Sequence, residues 1–297
     1  MKSLNIYISI VLLLACISLQ AQHKHEFSAY AGGGMSTLKY NTIEGKQKNN
    51  TGSLFGFGYT HFVSPKIGLN TSIEFSFYNA EAIYDNLSDR YMTNDINNDA
   101  FEYRTTVNDY EEKQRAAYLN IPLMVQYQFP TKKHLFYAAA GGKIGLPLSG
   151  TYQVKKGIMK NSGYYEEEDY EYTTQEFLGF GTFRAKESSE ELDFKISFML
   201  SAEAGMKWKL KDDLYLYTGA YIDYGLNNIR KNEGVTPLVS YNRLRPQDPI
   251  LNSVLTSQYL KDGGHRIFTD KVAPMAIGIK VKIAFGVSKK YTVVTRR

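Results

Sequence analysis

The sequence predicts an all-β chain of eight long antiparallel strands, and three observations predict it. Apolar residues alternate with small or polar ones along many stretches, the period-two pattern of a strand with two unlike faces. Aromatic residues are plentiful, with 24 Tyr, 16 Phe and one Trp in 297 residues, which argues against a disordered chain. The joints between the alternating stretches are short and long by turns, as in an up-and-down meander.

Taken in order, the first two strands are Phe27 to Thr37 and Gly52 to Val63, where Gly and Ala dilute the alternation. The third sets Ile67, Leu69, Thr71, Ile73, Phe75 and Phe77 against Gly68, Asn70, Ser72, Glu74, Ser76 and Tyr78. The fourth runs from Ala117 to Phe129 and the fifth from Leu135 to Leu148. The sixth alternates from Leu192 to Trp208, with Asp193, Lys195, Ser197 and Glu203 on its second face. The seventh is Leu214 to Leu226. The eighth is the clearest, with Met275, Ile277, Ile279, Val281, Ile283, Phe285 and Val287 opposed to Ala276, Gly278, Lys280, Lys282, Ala284 and Gly286. The run Gly32-Gly33-Gly34 reads as a strand kink or a close backbone approach; a phosphate cradle would need a following helix, and none is visible.

Short joints fall at Ser64 to Lys66, Pro130 to Lys133 and Lys211 to Asp213. Long ones run about Tyr40 to Ser53, Asn79 to Gln114, Gly150 to Glu191 and Asn227 to Lys271. Connections this long are unusual in a compact soluble domain and ordinary for the surface loops of an outer-membrane barrel. Eight strands close around an interior only wide enough for side chains, which suits the Gly, Ala, Ser and few charges of the second face. The large aliphatics then face lipid. The fold class expected is an eight-stranded antiparallel up-and-down transmembrane β-barrel with long extracellular loops.

Residues 1–22 have the build of a cleaved signal peptide: Lys2, an apolar stretch from Ile6 to Leu19, and a small or polar exit at Leu19-Gln20-Ala21-Gln22. Leu13-Leu14-Ala15-Cys16 loosely matches a lipoprotein cleavage box, an alternative that stays open. Cys16 is the one cysteine, so export of the rest leaves neither a disulfide framework nor a thiolate metal site. A net charge of +5 is too small to argue for nucleic acid. The expected organisation is a leader at 1–22, a barrel domain at 23–287 and a basic tail at 288–297 carrying Lys289, Lys290, Arg296 and Arg297.

The segment YLNIPLMVQYQF, Tyr118 to Phe129, resembles the fourth strand of an outer-membrane β-barrel family common in Bacteroidetes, itself similar to small OmpA/OmpX-type, porin-like barrels. The Gly-rich EFSAYAGGG, Glu26 to Gly34, and the Gln-Ala-Gln exit fit the same family. The resemblance implies an outer-membrane location and a structural or surface-interacting role. Some members of that family resemble PorT-like secretion components, the alternative reading. The family's members usually end on an aromatic closing the last strand; here residues 288–297 follow it.

Two constellations stand out. If the faces are as read, Glu74, Glu203 and Asp223 share the interior with Lys143, Lys195, Lys280 and Lys282, as a salt-bridge plug or the gate of a narrow channel. The third long joint holds Glu166, Glu167, Glu168, Asp169 and Glu171; between Gly150 and Glu191, nine acids face five bases. That run reads as solvated surface, or else as a calcium bridge to anionic lipopolysaccharide or a Tyr-rich protein-binding patch; its spacing does not match an EF-hand loop. His23 and His25 could catch a stray metal ion. No HExxH or GxSxG motif occurs. The expectation is a non-enzymatic, monomeric barrel without a cofactor or nucleic-acid partner, in contact with outer-membrane lipid and lipopolysaccharide and open to envelope protein partners.

Overall fold

The computed structural model describes residues 24–43, 45–131, 134–231, 236–261 and 264–287. The leader and the basic tail expected from the sequence lie outside these residues. Eight strands carry the fold: β1 (Lys24–Lys39), β2 (Thr51–Phe62), β3 (Ile67–Asn94), β4 (Ala100–Pro130), β5 (Leu135–Tyr165), β6 (Ser197–Lys211), β7 (Leu214–Gly225) and β8 (Ala273–Val287). Each pairs antiparallel with the next, and β8 returns to β1 in a register that sets Phe27 opposite Phe285 and Gly34 opposite Gly278. The lower part of the sheet is therefore a closed ring without a free edge.

Closure forces close contact where β1 meets β8. A Cβ on Gly278 would lie 2.2 Å from the Gly33 carbonyl oxygen, and a Cβ on Gly34 would meet the Gly278 Cα at 2.5 Å. That approach is what the glycine run of β1 provides.

The strands differ greatly in length, and here the sequence reading is corrected. The stretch Asn79 to Gln114, expected as a surface loop, is the continuation of β3 and β4. Their pairing extends unbroken in direction to Asn94 opposite Ala100, and the true connection is the turn 95–99. There Asp95 Oδ1 accepts from the amides of Asn97 and Asp99 at 2.8 and 3.0 Å, and Asn98 adopts φ 76°. Likewise β5 continues to Tyr165, through more than a third of the expected third loop. The rest of that joint returns down the edge of β5 as short strands, with residues 170–172, 181–184 and 188–191 pairing to it in turn. Residues 45–49 pair with the opposite edge, on β3. The result is a curled sheet overhanging one side of the ring. The described parts of the joint 226–272 pack on its inward face, where Leu238, Val239, Val254, Leu255 and Phe268 share a core with Tyr84, Phe101 and Tyr103.

The two parts have different contents. Inside the ring lie Ser28, Ser72, Asn120, Gln126 and paired charges, while Phe57, Leu123, Leu200, Ile279 and Phe285 are exposed outside. Under the overhang lies an aromatic core in which Phe101 packs within 5.2–6.2 Å of Tyr103, Tyr165, Phe180 and Tyr241, centroid to centroid. Tyr84 and Phe268 add an edge-to-face pair at 6.3 Å. Both segments bury aromatic or apolar area that water would otherwise solvate, which fixes the long joint against the sheet.

Candidate functional site

The ring interior is the densest charged site. Alternation on β3, β5, β6, β7 and β8 points Glu74, Lys143, Glu203, Asp223, Lys280 and Lys282 inward, where all are buried. The Lys143 ammonium lies 2.7 Å from both Glu74 Oε1 and Asp223 Oδ2. Tyr30 donates to Glu74 Oε2 at 3.1 Å and Ser76 to its Oε1 at 3.1 Å. Ser201 donates to Asp223 at 2.6 Å. Closer to the short turns, Glu203 takes Lys280 at 2.9 Å, Lys282 at 3.4 Å and the Tyr137 hydroxyl at 2.7 Å. Lys280 also reaches Glu74 at 3.8 Å, joining the two groups.

Lys195 does not join them. It is exposed, and among the described residues its contacts are through the backbone: its N–H donates to the Ile229 carbonyl at 2.7 Å and its carbonyl accepts from Tyr118 at 3.0 Å. The strand proper starts at Ser197. Just before it Leu192 and Phe194 turn inward over the ring mouth, while Lys195 and Ile196 both face out. Extending the β6 alternation through this irregular segment puts Lys195 on the wrong side, because a one-residue slip exchanges the faces.

Two further interior charges escaped the sequence reading. Glu26 on β1 accepts from Lys207 at 2.7 Å and from the Tyr217 hydroxyl at 2.6 Å, nearest the short turns. The signal was present: Glu26 keeps step with Ser28 and Tyr30, and Lys207 with Glu203. Counting this pair, four carboxylates (Glu26, Glu74, Glu203, Asp223) face four ammonium groups (Lys143, Lys207, Lys280, Lys282). Buried charges are tolerated when paired and hydrogen-bonded in this way.

A second buried carboxylate site lies under the overhang, where Glu112 of β4 has no cationic partner among the described residues. Instead Ser253 Oγ and Gln114 Nε2 donate to its Oε1 at 2.5 and 2.8 Å, and Tyr110 Oη and the Val254 amide to its Oε2 at 2.7 and 2.9 Å. Burial pushes its carboxyl above the usual range, against these four donors. The site fastens the turn 253–257 to the sheet.

The acidic run is on the surface. Glu166, Glu167 and Glu168 form an exposed 3₁₀ turn closed by Asp169 at φ 46°. Asp169 accepts from Tyr164 at 2.7 Å and Glu168 from Tyr172 at 2.6 Å. Glu171 holds Arg104 at 2.9 Å and accepts from Ser162 at 2.6 Å. These acids engage their own hairpin and β4 rather than converging on one point. Among the described residues no group of three or more His, Cys, Asp or Glu is placed to hold a metal. His25 does meet His61, Nδ1 to Nδ1 at 3.3 Å, with the Tyr59 hydroxyl 2.7 Å from His25.

A closed antiparallel ring with a small, charge-paired interior and an apolar exterior defines the class: barrels whose polar side is the inside. The family model described as "Outer membrane protein beta-barrel domain" matches residues 20–231, and the chain belongs to that family. The matched span ends before β8, the strand that closes the ring. No curated protein matches the chain. Among solved structures it is similar to the Neisserial surface protein A (NspA), at 9% identity and a TM-score of 0.32, over 89% of this chain and 97% of that one.

Proposed function

We propose that the chain spans the outer membrane with its ring and holds the overhanging sheet outside as a rigid surface platform, in a non-enzymatic structural or recognition role. The observation that carries this is the change of character along the outward face of β4. From Phe129 to Ala117 every outward residue is apolar or aromatic; from Arg115 to Glu102 the outward residues are Arg115, Lys113, Glu111, Asn108, Thr106, Arg104 and Glu102. Twelve steps of about 3.4 Å, tilted about 45°, give an apolar height of roughly 29 Å, the thickness of a hydrocarbon core. The strand thus runs out of lipid where its charges begin.

The interior supports a closed barrel rather than a channel. Lys143 on β5 ties β3 to β7, and Glu203 on β6 ties to β8, so the ion pairs cross the lumen. Eight strands leave no room for a water column beside them. Above, Leu192 and Phe194 turn inward and share one buried cluster with Ile229 and Val272.

Single cysteines test the placement. Arg104→Cys should react with a membrane-impermeant maleimide on intact cells, while Leu123→Cys should not, background being read from the parent chain. Equal labelling of the two would overturn the reading.

A further inference from the structure

The upper margin of the apolar belt carries a feature that the platform does not need. Three cations stand there on the two strands that flank β3. Lys48 lies opposite Glu81 and Glu81 opposite Lys113, in one cross-strand row. Arg115 is the next outward residue of β4, one row nearer the belt, opposite Asn79. The row after that is Phe77 opposite Ala117, already inside the belt. The one acid within the group is Glu81, 3.8 Å from Lys48. Lys113 and Arg115 make no ion pair among the described residues.

The strip is also fixed in place. Residues 45–49 are held to β3 by backbone pairing, and Gln47 turns inward to donate to Thr37 Oγ1 and the Leu38 carbonyl, each at 3.2 Å. Lys46 and Lys48 are thereby directed outward from a strand rather than a loop. Residues directly opposite sit about 5 Å apart at Cβ, so Lys48 and Lys113 stand on either side of Glu81, two such spacings apart, with Arg115 one row below Lys113. An arginine fork beside lysines suits phosphate oxygens.

We infer that Lys48, Lys113 and Arg115 bind the phosphate groups of an outer-leaflet lipid headgroup. This rests on the membrane-spanning reading above: if β4 leaves the hydrocarbon at Ala117, Arg115 and Lys113 stand at headgroup depth, and the lipid's acyl chains lie along Phe77, Leu119 and Ile121. Exposed Lys195, next to Ile196 just before the start of β6, stands at the same margin on another sector of the ring.

The test is native mass spectrometry of the full chain, refolded in detergent, with diphosphorylated lipid A and the same glycolipid stripped of phosphate. Phosphorylated lipid should be retained at least about tenfold better, since each basic residue at a charged membrane surface contributes severalfold in affinity. The double variant Lys113→Glu/Arg115→Glu should lose that preference, and Lys160→Glu, higher on β5, should keep it. Equal retention of the two lipids, or an unchanged preference in the double variant, would overturn the strip. Failure of the parent chain to insert into phosphatidylcholine vesicles would instead overturn the membrane-spanning reading on which it rests.

Discussion

On β4, the ring half and the overhanging half bury the same side of the strand but fill the space with opposite chemistry. Below Tyr118 the buried positions are Asn120, Pro122, Met124, Gln126 and Gln128, and the bare ones are Ile121, Leu123, Val125 and Phe129. Above it the buried positions include Phe101, Tyr103, Val107, Tyr110 and Ala116, with the polar Thr105, Glu112 and Gln114 among them, and the outward ones are mostly charged or polar. Apart from Thr105, Glu112 and Gln114, the upper half follows the ordinary rule of a water-soluble sheet, apolar in and polar out. The lower half reverses it. A single strand with both patterns marks the place where the medium around it changes, and the interiors follow: ion pairs hold the ring's centre, aromatic packing the platform's.

The comparison can be broken from either side. The largest effect is expected at Lys143. Lys143→Met removes one ammonium and strands Glu74 and Asp223 together in the ring, a defect of about 3–5 kcal/mol. Urea unfolding in detergent, followed by the heat-modifiable gel shift, should show the loss; an unchanged midpoint would mean the interior is open to water. Phe101→Ala empties the platform core and should cost about 3–5 kcal/mol as well, but locally. Limited proteolysis should cut the 226–272 joint more readily while the gel shift of the ring persists. Loss of both together would show that ring and platform fold as one unit.

Third comes the outer face. Leu123→Arg puts a charge at mid-belt and should destabilise the inserted protein by about 2–4 kcal/mol, whereas Thr106→Arg, on the platform's outer face, should change little. Equal small effects at both positions would remove the change of medium from the argument.

How much of this was legible follows from which face was read. The ring half of each strand could be read because a narrow interior and an apolar exterior give every second residue a plain character, as in Met275 to Val287. The platform half, expected as a surface loop, is harder to read because its outer face carries Glu81, Asp85, Arg104 and Glu111 where the ring carries apolar residues. Yet Tyr78, Ala80, Ala82 and Tyr84 alternate as strictly as the ring does. The slip past Asp109, at φ 51°, then breaks the count between Val107 and Tyr110 and hides the continuity with β4. Lys195 failed for the same reason, a break in step that composition does not announce. The Glu112 site had no sequence signal, since Ser253 and Val254 reach it from a joint more than a hundred residues away.

Glu112 gives the smallest and most specific prediction. Its carboxyl is raised by burial, so the folded platform holds a proton that the unfolded chain releases near pH 4.3. Stability linked to this group is therefore full below that value and declines as pH rises through the folded-state value. Hydrogen exchange at the Val254 and Ser257 amides should quicken over that rise, because the charged carboxylate is confined without a cation. Glu112→Gln cannot titrate and keeps an acceptor for Ser253 or Val254, so exchange there, corrected for its intrinsic pH dependence, should be flat. The ring offers the control: its carboxylates are paired with ammonium groups, and amides of β8 beside Lys280 should show no matching change. An equal pH response in the Gln variant would mean that another group loosens the joint, and the contrast between a paired interior and an unpaired one would lose its sharpest expression.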